Sequence, residues 1–432
     1  MVRHFFIGLL LSLMAVLTAT PCFAEKYRIP PEYGPKKAVL ISVHCLQLQH
    51  DHAEEYLIKT IAYSLTRSDV YLEMCDSLSM HGIQKIDLEN IDEDQFRINQ
   101  QKLDSSHEYS KDLIEETPEK TKDFFEDILE VHKNAQATIQ GRTHQLFMYN
   151  NPRFNGDNQN TNVYIRDRSV LPVQRANGAR YFMNTANIPL DGMVYLNHFL
   201  AKSEIIQIPR LPIYMQPSSF VMDQQNIFIS SSYVSSDKIR NDQTLMNEYF
   251  DFKNLVFLET NINESTAHID TLIKFVKNPL NNNVEVLLAT TQPKLSTGNA
   301  DGNQHSLEVM KWEVESYHSN KNRDRKNKKT LNELGYIVHE IPNSGIYGNS
   351  KDRQFTANYV NSLILGDVVL VPQYVADYMY GPKDLVRIQQ DHQNAVKIYQ
   401  KFFKYVVSIP VEHQVRSASG GAVHCLTSDI PQ

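Results

Sequence analysis

Cysteine is scarce. Four in 432 residues, widely scattered, describe neither a disulfide scaffold nor a zinc site. Positive charge is in deficit as well, with 43 Lys plus Arg against 50 Asp plus Glu and a formal charge of -7. That balance argues against nucleic acid as the main partner, because phosphate binding depends on a basic surface. A mildly acidic protein can still attract a cationic small molecule or peptide. Sixteen Gly and 18 Pro are too few for collagen-like or low-complexity classes. No sequence repeat of about 20 to 50 residues is visible. Past the first segment, no stretch approaches the roughly 20 apolar residues of a transmembrane helix, so no stable membrane insertion is expected. What remains is globular in composition, 41% hydrophobic and 22% charged, and long enough to bury a sizeable core.

The first segment reads as a leader and not as structure. Met1-Val2-Arg3-His4 is a short basic start, Phe5 to Leu17 is nearly all apolar, and Pro21-Cys22-Phe23-Ala24 has small residues at cleavage spacing. The expectation is a signal peptide over 1–24 and a secreted or periplasmic mature protein. Cleavage there removes Cys22 and leaves Cys45, Cys75 and Cys425. Cys45 and Cys75 could bridge, so one thiol is left over from any intramolecular pairing. Without a hinge-like linker, residues 25–432 read as a single domain with insertions near 85–123 and 321–329. The second of these, KNRDRKNKK, reads as a solvated face or mobile loop.

Short apolar runs at 36–44, 254–259, 284–291, 336–342 and 367–374 predict strands, several buried on both faces. Helical spacing predicts a helix opened by Thr117-Pro118-Glu119 and running through Phe124, Phe125, Ile128 and Leu129. A second places Ala395, Ile398, Tyr399, Phe402 and Phe403 behind Asp391 as N-cap. Strands alternating with helices make an α/β protein.

Three constellations could carry chemistry. Gly420-Gly421-Ala422-Val423-His424-Cys425-Leu426-Thr427 sets a cysteine behind a flexible glycine pair, as a loop presenting a nucleophile often requires; a lone cysteine can equally be an inert buried thiol. His268-Ile269-Asp270 serves one site only if that stretch is not helical, because an i, i+2 pair shares a side when extended and diverges by about 200° on a helix. No further ligands stand at metal spacing beside it, so neither metal nor cofactor is expected. Tyr164-Ile165-Arg166-Asp167-Arg168 ends an apolar segment and is either an ion pair at a strand end or a carboxylate placed for a cation.

In their order these motifs resemble the agmatine deiminase and bacterial, Porphyromonas-type peptidylarginine deiminase family. The segment Ile29-Pro30-Pro31-Glu32-Tyr33-Gly34-Pro35-Lys36-Lys37-Ala38-Val39-Leu40 is similar to the start of such domains. Thr356-Ala357-Asn358-Tyr359-Val360-Asn361, leading to Pro372-Gln373, is similar to a later part. The resemblance implies a pseudo-fivefold α/β propeller of ββαβ modules and a metal-independent deiminase that turns a guanidinium into a ureido group plus ammonia. The implied substrate partner is a small guanidine or an arginyl peptide. Asp167 and Asp270 match the carboxylates that grip the planar guanidinium fork. Cys425 matches the nucleophile and His268 the general acid and base. Asn361 and Arg166 fall in the substrate-binding set.

The chain departs from the family where the substrate pocket is shaped. Gln216-Pro217-Ser218-Ser219 replaces Glu-Gly-Gly-Asn, and Arg168-Ser169-Val170 follows the first Asp where agmatine deiminases have x-Gly-Pro. Tyr181-Phe182-Met183-Asn184-Thr185-Ala186-Asn187 lacks the paired arginines that hold a peptide's terminal carboxylate. Two other readings stay open on these residues: a guanidine- or peptide-binding protein without turnover, and an amidinotransferase.

Overall fold

The apolar runs form strands, and they fall into several separate small sheets. The computed structural model describes residues 26–43, 54–74, 82–91, 111–150, 171–183, 207–208, 217–223, 225–231, 246–247, 249–260, 268–292, 307–347, 355–374, 382–411 and 422–431. Residues 1–24, Cys45, Cys75, Arg166, Asp167 and Gln216 lie outside them.

Five sheets are described, and one pattern recurs in each: an antiparallel pair followed by a parallel partner. In the first, Leu171–Arg175 pairs antiparallel with Arg180–Met183, which pairs parallel with Gln207–Ile208, while Tyr27–Arg28 adds to the edge. Phe220–Met222, Asn226–Ser230 and Asn254–Leu258 repeat the pattern. So do Ile273–Lys277, Val284–Thr291 and Val338–Tyr347, with Phe355–Asn358 added at the far edge. Leu363–Leu365, Val368–Tyr374 and Tyr405–Val411 form the fourth sheet. The fifth joins the two ends of the described chain. Thr427–Pro431 pairs antiparallel with Lys36–Val43, which is followed in parallel by Asp69–Met74 and Leu146–Asn150, with Ile83–Ile86 at the edge. The salt bridge between buried Lys36 and Asp429 crosses that terminal pairing.

Parallel neighbours require a crossover, and four α-helices of the described residues supply it. Helix α1 (Glu54–Ser64) and helix α2 (Lys111–Ile139) serve the fifth sheet, α3 (Leu307–Glu333) the third, and α4 (Pro382–Tyr399) the fourth. Strand faces and helix stripes meet in a core that includes Val39, Ile41, Leu57, Ile61, Leu72, Phe125, Ile128, Leu370 and Tyr399. A second cluster joins Phe228, Ile269, Phe275 and Leu288 beneath the third sheet. Helix α3 stops where Gly335 takes a φ of 90°, a conformation open to glycine at little cost. No helix among the described residues is long and apolar enough to cross a membrane.

Three expectations change. Residues 321–329 are the C-terminal part of α3, and one face of that basic run is buried: Arg323, Asp324 and Asn327 point inward while Arg325, Lys326 and Lys329 face solvent. Charge density is blind to this, because buried polar groups satisfied by partners look the same in sequence as solvated ones. Pro118 is inside α2, which starts at Lys111, so the helix opens before the proline and not at it. Asp391 lies in mid-helix in α4, 3.6 Å from Arg387 one turn back, so it pairs along the helix and does not cap it.

Candidate active site

His268 is extended, with φ -73° and ψ 138°, and Ile269–Thr271 then make a single 3-10 turn. Thr271 closes that turn on its own start, donating its N–H and its Oγ1 hydroxyl to the His268 carbonyl at 3.4 and 2.7 Å. The stretch is neither a strand nor an α-helix. The turn nonetheless brings one ligand atom each of His268, Asp270 and Cys425 within 4.8 Å of one another.

Cys425 sits in a turn over 423–426 stapled by its successor. Thr427 donates its N–H to the His424 carbonyl and its Oγ1 hydroxyl to the Val423 and His424 carbonyls, each at 3.1 Å. A threonine two residues past the nucleophile thus holds the loop that presents it.

Asn361 joins the two turns. Its carboxamide oxygen accepts the N–H groups of Ala422, His424 and Cys425 at 2.9, 3.1 and 3.2 Å. Its Nδ2 donates to Cys425 Sγ at 3.0 Å and to Asp270 Oδ2 at 3.4 Å. The Cys425 thiol also donates to Asp270 Oδ2, at 3.4 Å. Asn358 fixes Asn361 in turn: its Oδ1 accepts the N–H groups of Val360 and Asn361, and its Nδ2 reaches the Thr271 carbonyl at 2.5 Å. Relative exposures are 2% for Cys425, 3% for His268 and 0% for both Asp270 and Asn361. Electrostatic interactions are correspondingly strong in so dry a place.

Four of the six candidate residues, Cys425, His268, Asp270 and Asn361, are therefore together. Asp167 and Arg166 lie outside the described residues. Sequence reasoning did not single out His424, Glu32 or Lys274. His424 Nδ1 is 2.7 Å from Asp270 Oδ2, its Nε2 is 2.9 Å from Glu32 Oε1, and Lys274 Nζ is 3.1 Å from Glu32 Oε2. The available signal was faint: His424 adjoins the nucleophile, and Glu32 belongs to the opening segment. Pro217–Ser219, in the altered pocket loop, is a 3-10 turn packed against Ile269–Thr271, with Ser218 and Ser219 buried. A separate cavity of about 630 Å³ beside Lys85, His132 and His144 contains none of these residues.

His268, Asp270 and Cys425 are also a donor set that a soft divalent ion such as zinc could accept. The arrangement equally suits covalent catalysis, since a thiol, a histidine and a carboxylate converge.

Residues 178–431 match the model of the Porphyromonas-type peptidyl-arginine deiminase family. The chain belongs to this family, and so to the hydrolases that act on C–N bonds of amidines. The matched span includes His268, Asp270, Asn361 and Cys425. No curated protein matches the sequence significantly. The fold is similar to that of C. jejuni agmatine deiminase, at 14% identity over 94% of this chain and 97% of that one, with a TM-score of 0.53. A Porphyromonas gingivalis protein described as a candidate arginine deiminase is similar at 14% identity over 94% and 99%, TM-score 0.56. A C. jejuni agmatine deiminase variant solved with substrate bound is similar at 13% identity over 94% and 97%, TM-score 0.52.

Proposed function

We propose that the protein hydrolyses the guanidinium group of an arginine-type substrate, either a small guanidine or an arginyl peptide, through a covalent thiouronium on Cys425. The observation that carries this reading is the convergence of Cys425, His268 and Asp270 within 4.8 Å in a buried site. Substrate-bound agmatine deiminase of similar fold supports the guanidine class.

Asp270 accepts donors from one edge of the guanidinium, and Asp167 takes the other; the support for Asp167 is its sequence motif. The two carboxylates bind the cation, fix its plane and keep it protonated, so that its carbon is electrophilic. The Cys425 thiol gives its proton to His268, and a C–S bond forms as the resulting thiolate attacks that carbon. The C–N bond to one terminal nitrogen then breaks, and His268 gives the departing ammonia its proton. Water, losing a proton to His268, next attacks the thiouronium carbon. The C–S bond breaks, and the ureido product leaves with the thiolate restored. Net consumption is one water and the yield is one ammonium. No metal enters these steps.

The five sheets with their shared strand pattern support a pseudo-fivefold propeller around this site. Export of the mature chain, expected from residues 1–24, completes the proposal; N-terminal sequencing of the processed protein tests it.

The deciding assay offers arginyl peptides, free arginine and agmatine separately and measures ureido product and ammonia. Product from at least one is expected, with a loss of at least about 10⁴-fold in Cys425→Ala. Binding of all three without product would overturn the proposal.

A further inference from the structure

His424 adjoins the nucleophile in sequence, yet each of its ring nitrogens meets a carboxylate. Its Nδ1 meets Asp270 Oδ2 at 2.7 Å and its Nε2 meets Glu32 Oε1 at 2.9 Å. Each ring nitrogen is thus within hydrogen-bonding distance of a carboxylate oxygen. Glu32 passes its other oxygen to Lys274 Nζ at 3.1 Å. Lys274 is four residues beyond Asp270, on the strand that follows the Asp270 turn, so the chain of contacts closes on the segment where it began. Asp270, His424, Glu32 and Lys274 form a ring, closed by the backbone from Asp270 to Lys274, in which carboxylates alternate with basic groups.

Three distant segments contribute: the loop before Lys36–Val43, the turn before Ile273–Lys277, and the turn before Thr427–Pro431. The antiparallel pairing of Thr427–Pro431 with Lys36–Val43 brings the first and last together. Asp270, Lys274 and His424 are buried at 0%, 0% and 2% exposure, where carboxylates and basic groups side by side offset one another's desolvation.

Within the ring, Asp270 Oδ2 is held unequally. The His424 contact is 2.7 Å, whereas those of Asn361 and Cys425 are 3.4 Å each. The shortest, charge-assisted bond dominates the placement of the carboxylate. We propose that His424, braced by Glu32 and Lys274, is a positioning residue that sets the Asp270 carboxylate for the substrate guanidinium and so makes the N-terminal loop a working part of the site. This rests on the deiminase reading above. The ring holds Asp270 in place when the thiol moves to attack and its own contact with the carboxylate is lost.

The test compares His424→Asn, His424→Gln, Glu32→Gln and the double variant Glu32→Gln/His424→Asn with wild type, using agmatine and benzoyl-arginine amide. Asn keeps a donor near the Nδ1 position toward Asp270, whereas Gln keeps one near the Nε2 position toward Glu32. In protein of unchanged melting temperature, kcat/KM should fall about tenfold in His424→Asn, about a hundredfold in His424→Gln and about tenfold in Glu32→Gln. The double variant should lie within about twofold of His424→Asn, because the Glu32 contact is already lost there. His424→Gln as active as His424→Asn, or losses that multiply in the double variant, would overturn the proposal. A purely structural histidine would shift melting temperature and leave this ranking absent. If neither His424 variant folds, Glu32→Gln decides, since it changes no volume: activity within about twofold of wild type counts against the ring. If wild-type protein turns over no guanidine, the deiminase reading fails by itself. The ring is then read from Cys425 alkylation by iodoacetamide, where His424→Gln should deviate from wild type more than His424→Asn, and equal rates would overturn it.

Discussion

Asn361 shows how one side chain can organise a site. Its oxygen takes three N–H groups from the Cys425 turn and its nitrogen reaches both the thiol and Asp270. Asn361→Ala leaves buried donors without an acceptor, at roughly 1–3 kcal/mol for such a group. The expected loss of unfolding free energy is about 2–4 kcal/mol. Urea denaturation checks it; a change below about 0.5 kcal/mol would show that the turn stands without Asn361. The same residues decide the metal question. Deiminase turnover is expected to survive exhaustive EDTA treatment and to be inhibited by added zinc, because thiolate, imidazole and carboxylate are zinc ligands. Loss of activity with the chelator, restored by zinc, would replace the thiouronium mechanism with a metal one. Cys425, His268, Asp270 and Asn361 were legible because each sits in a short local motif. His424 was not, since its role depends on Glu32, 392 positions earlier.

At the scale of elements, α3 explains why a basic run can be interior. Arg323 donates from Nε and Nη2 to Asp324 Oδ1 at 3.2 and 2.6 Å, from Nη1 to Asn320 at 3.0 Å, and from Nη2 to the Thr291 hydroxyl at 3.2 Å. Asp324 Oδ2 accepts the Thr291 N–H at 2.7 Å. The pair therefore clamps the helix to the end of strand Val284–Thr291, and its side chains are only 4% and 5% exposed. Removing one partner of such a buried pair strands the other charge. Arg323→Ala is expected to destabilise the protein by about 3–5 kcal/mol, whereas Lys326→Ala, on the exposed face, should change stability by less than about 1 kcal/mol. Equal midpoints in denaturant titrations of the two variants would refute the clamp. Apolar runs located five of the described strands, and three of these, Lys36–Val43, Val284–Thr291 and Val368–Tyr374, are buried on nearly every residue of both faces. Sequence pattern misjudged 321–329 and Asp391, whose deciding partners belong to a neighbouring strand and to the preceding helical turn.

For the whole molecule, two buried histidines set a pH dependence. His132 on α2 shares Nδ1 with the Ala62 carbonyl of α1 at 2.9 Å. Burial lowers its pKa below the ordinary 6.5; the Ala62 bond opposes the shift and His144 adds to it. His392 on α4 lies 2.9 Å from Ser408 Oγ, and burial lowers its pKa too, opposed by its hydrogen bond to the Pro372 carbonyl. A lowered folded-state pKa means the unfolded chain takes up the proton first as pH falls. The folded state therefore keeps its full stability above about pH 6.5 and loses it progressively below. Unfolding free energies measured across this range should decline on acidification, and less steeply in His132→Gln/His392→Gln. An unchanged slope in the double variant would assign the effect elsewhere.

Order along the chain is also order in space. Ser218–Ser219, His268–Asp270, Asn361 and His424–Cys425 each come shortly before the first strand of a sheet's antiparallel pair. Sequence alone determined the α/β character, five of the described strands and the four residues of the buried site that lie in local motifs, because hydrophobic period and short motifs are properties of neighbours in the chain. Only the tertiary structure decided that Asn361 binds the cysteine turn, that Arg323 and Asp324 turn inward, and that Glu32 reaches His424. Those outcomes depend on charge and hydrogen-bond partners delivered by strand pairing across the length of the protein, and no local pattern records them.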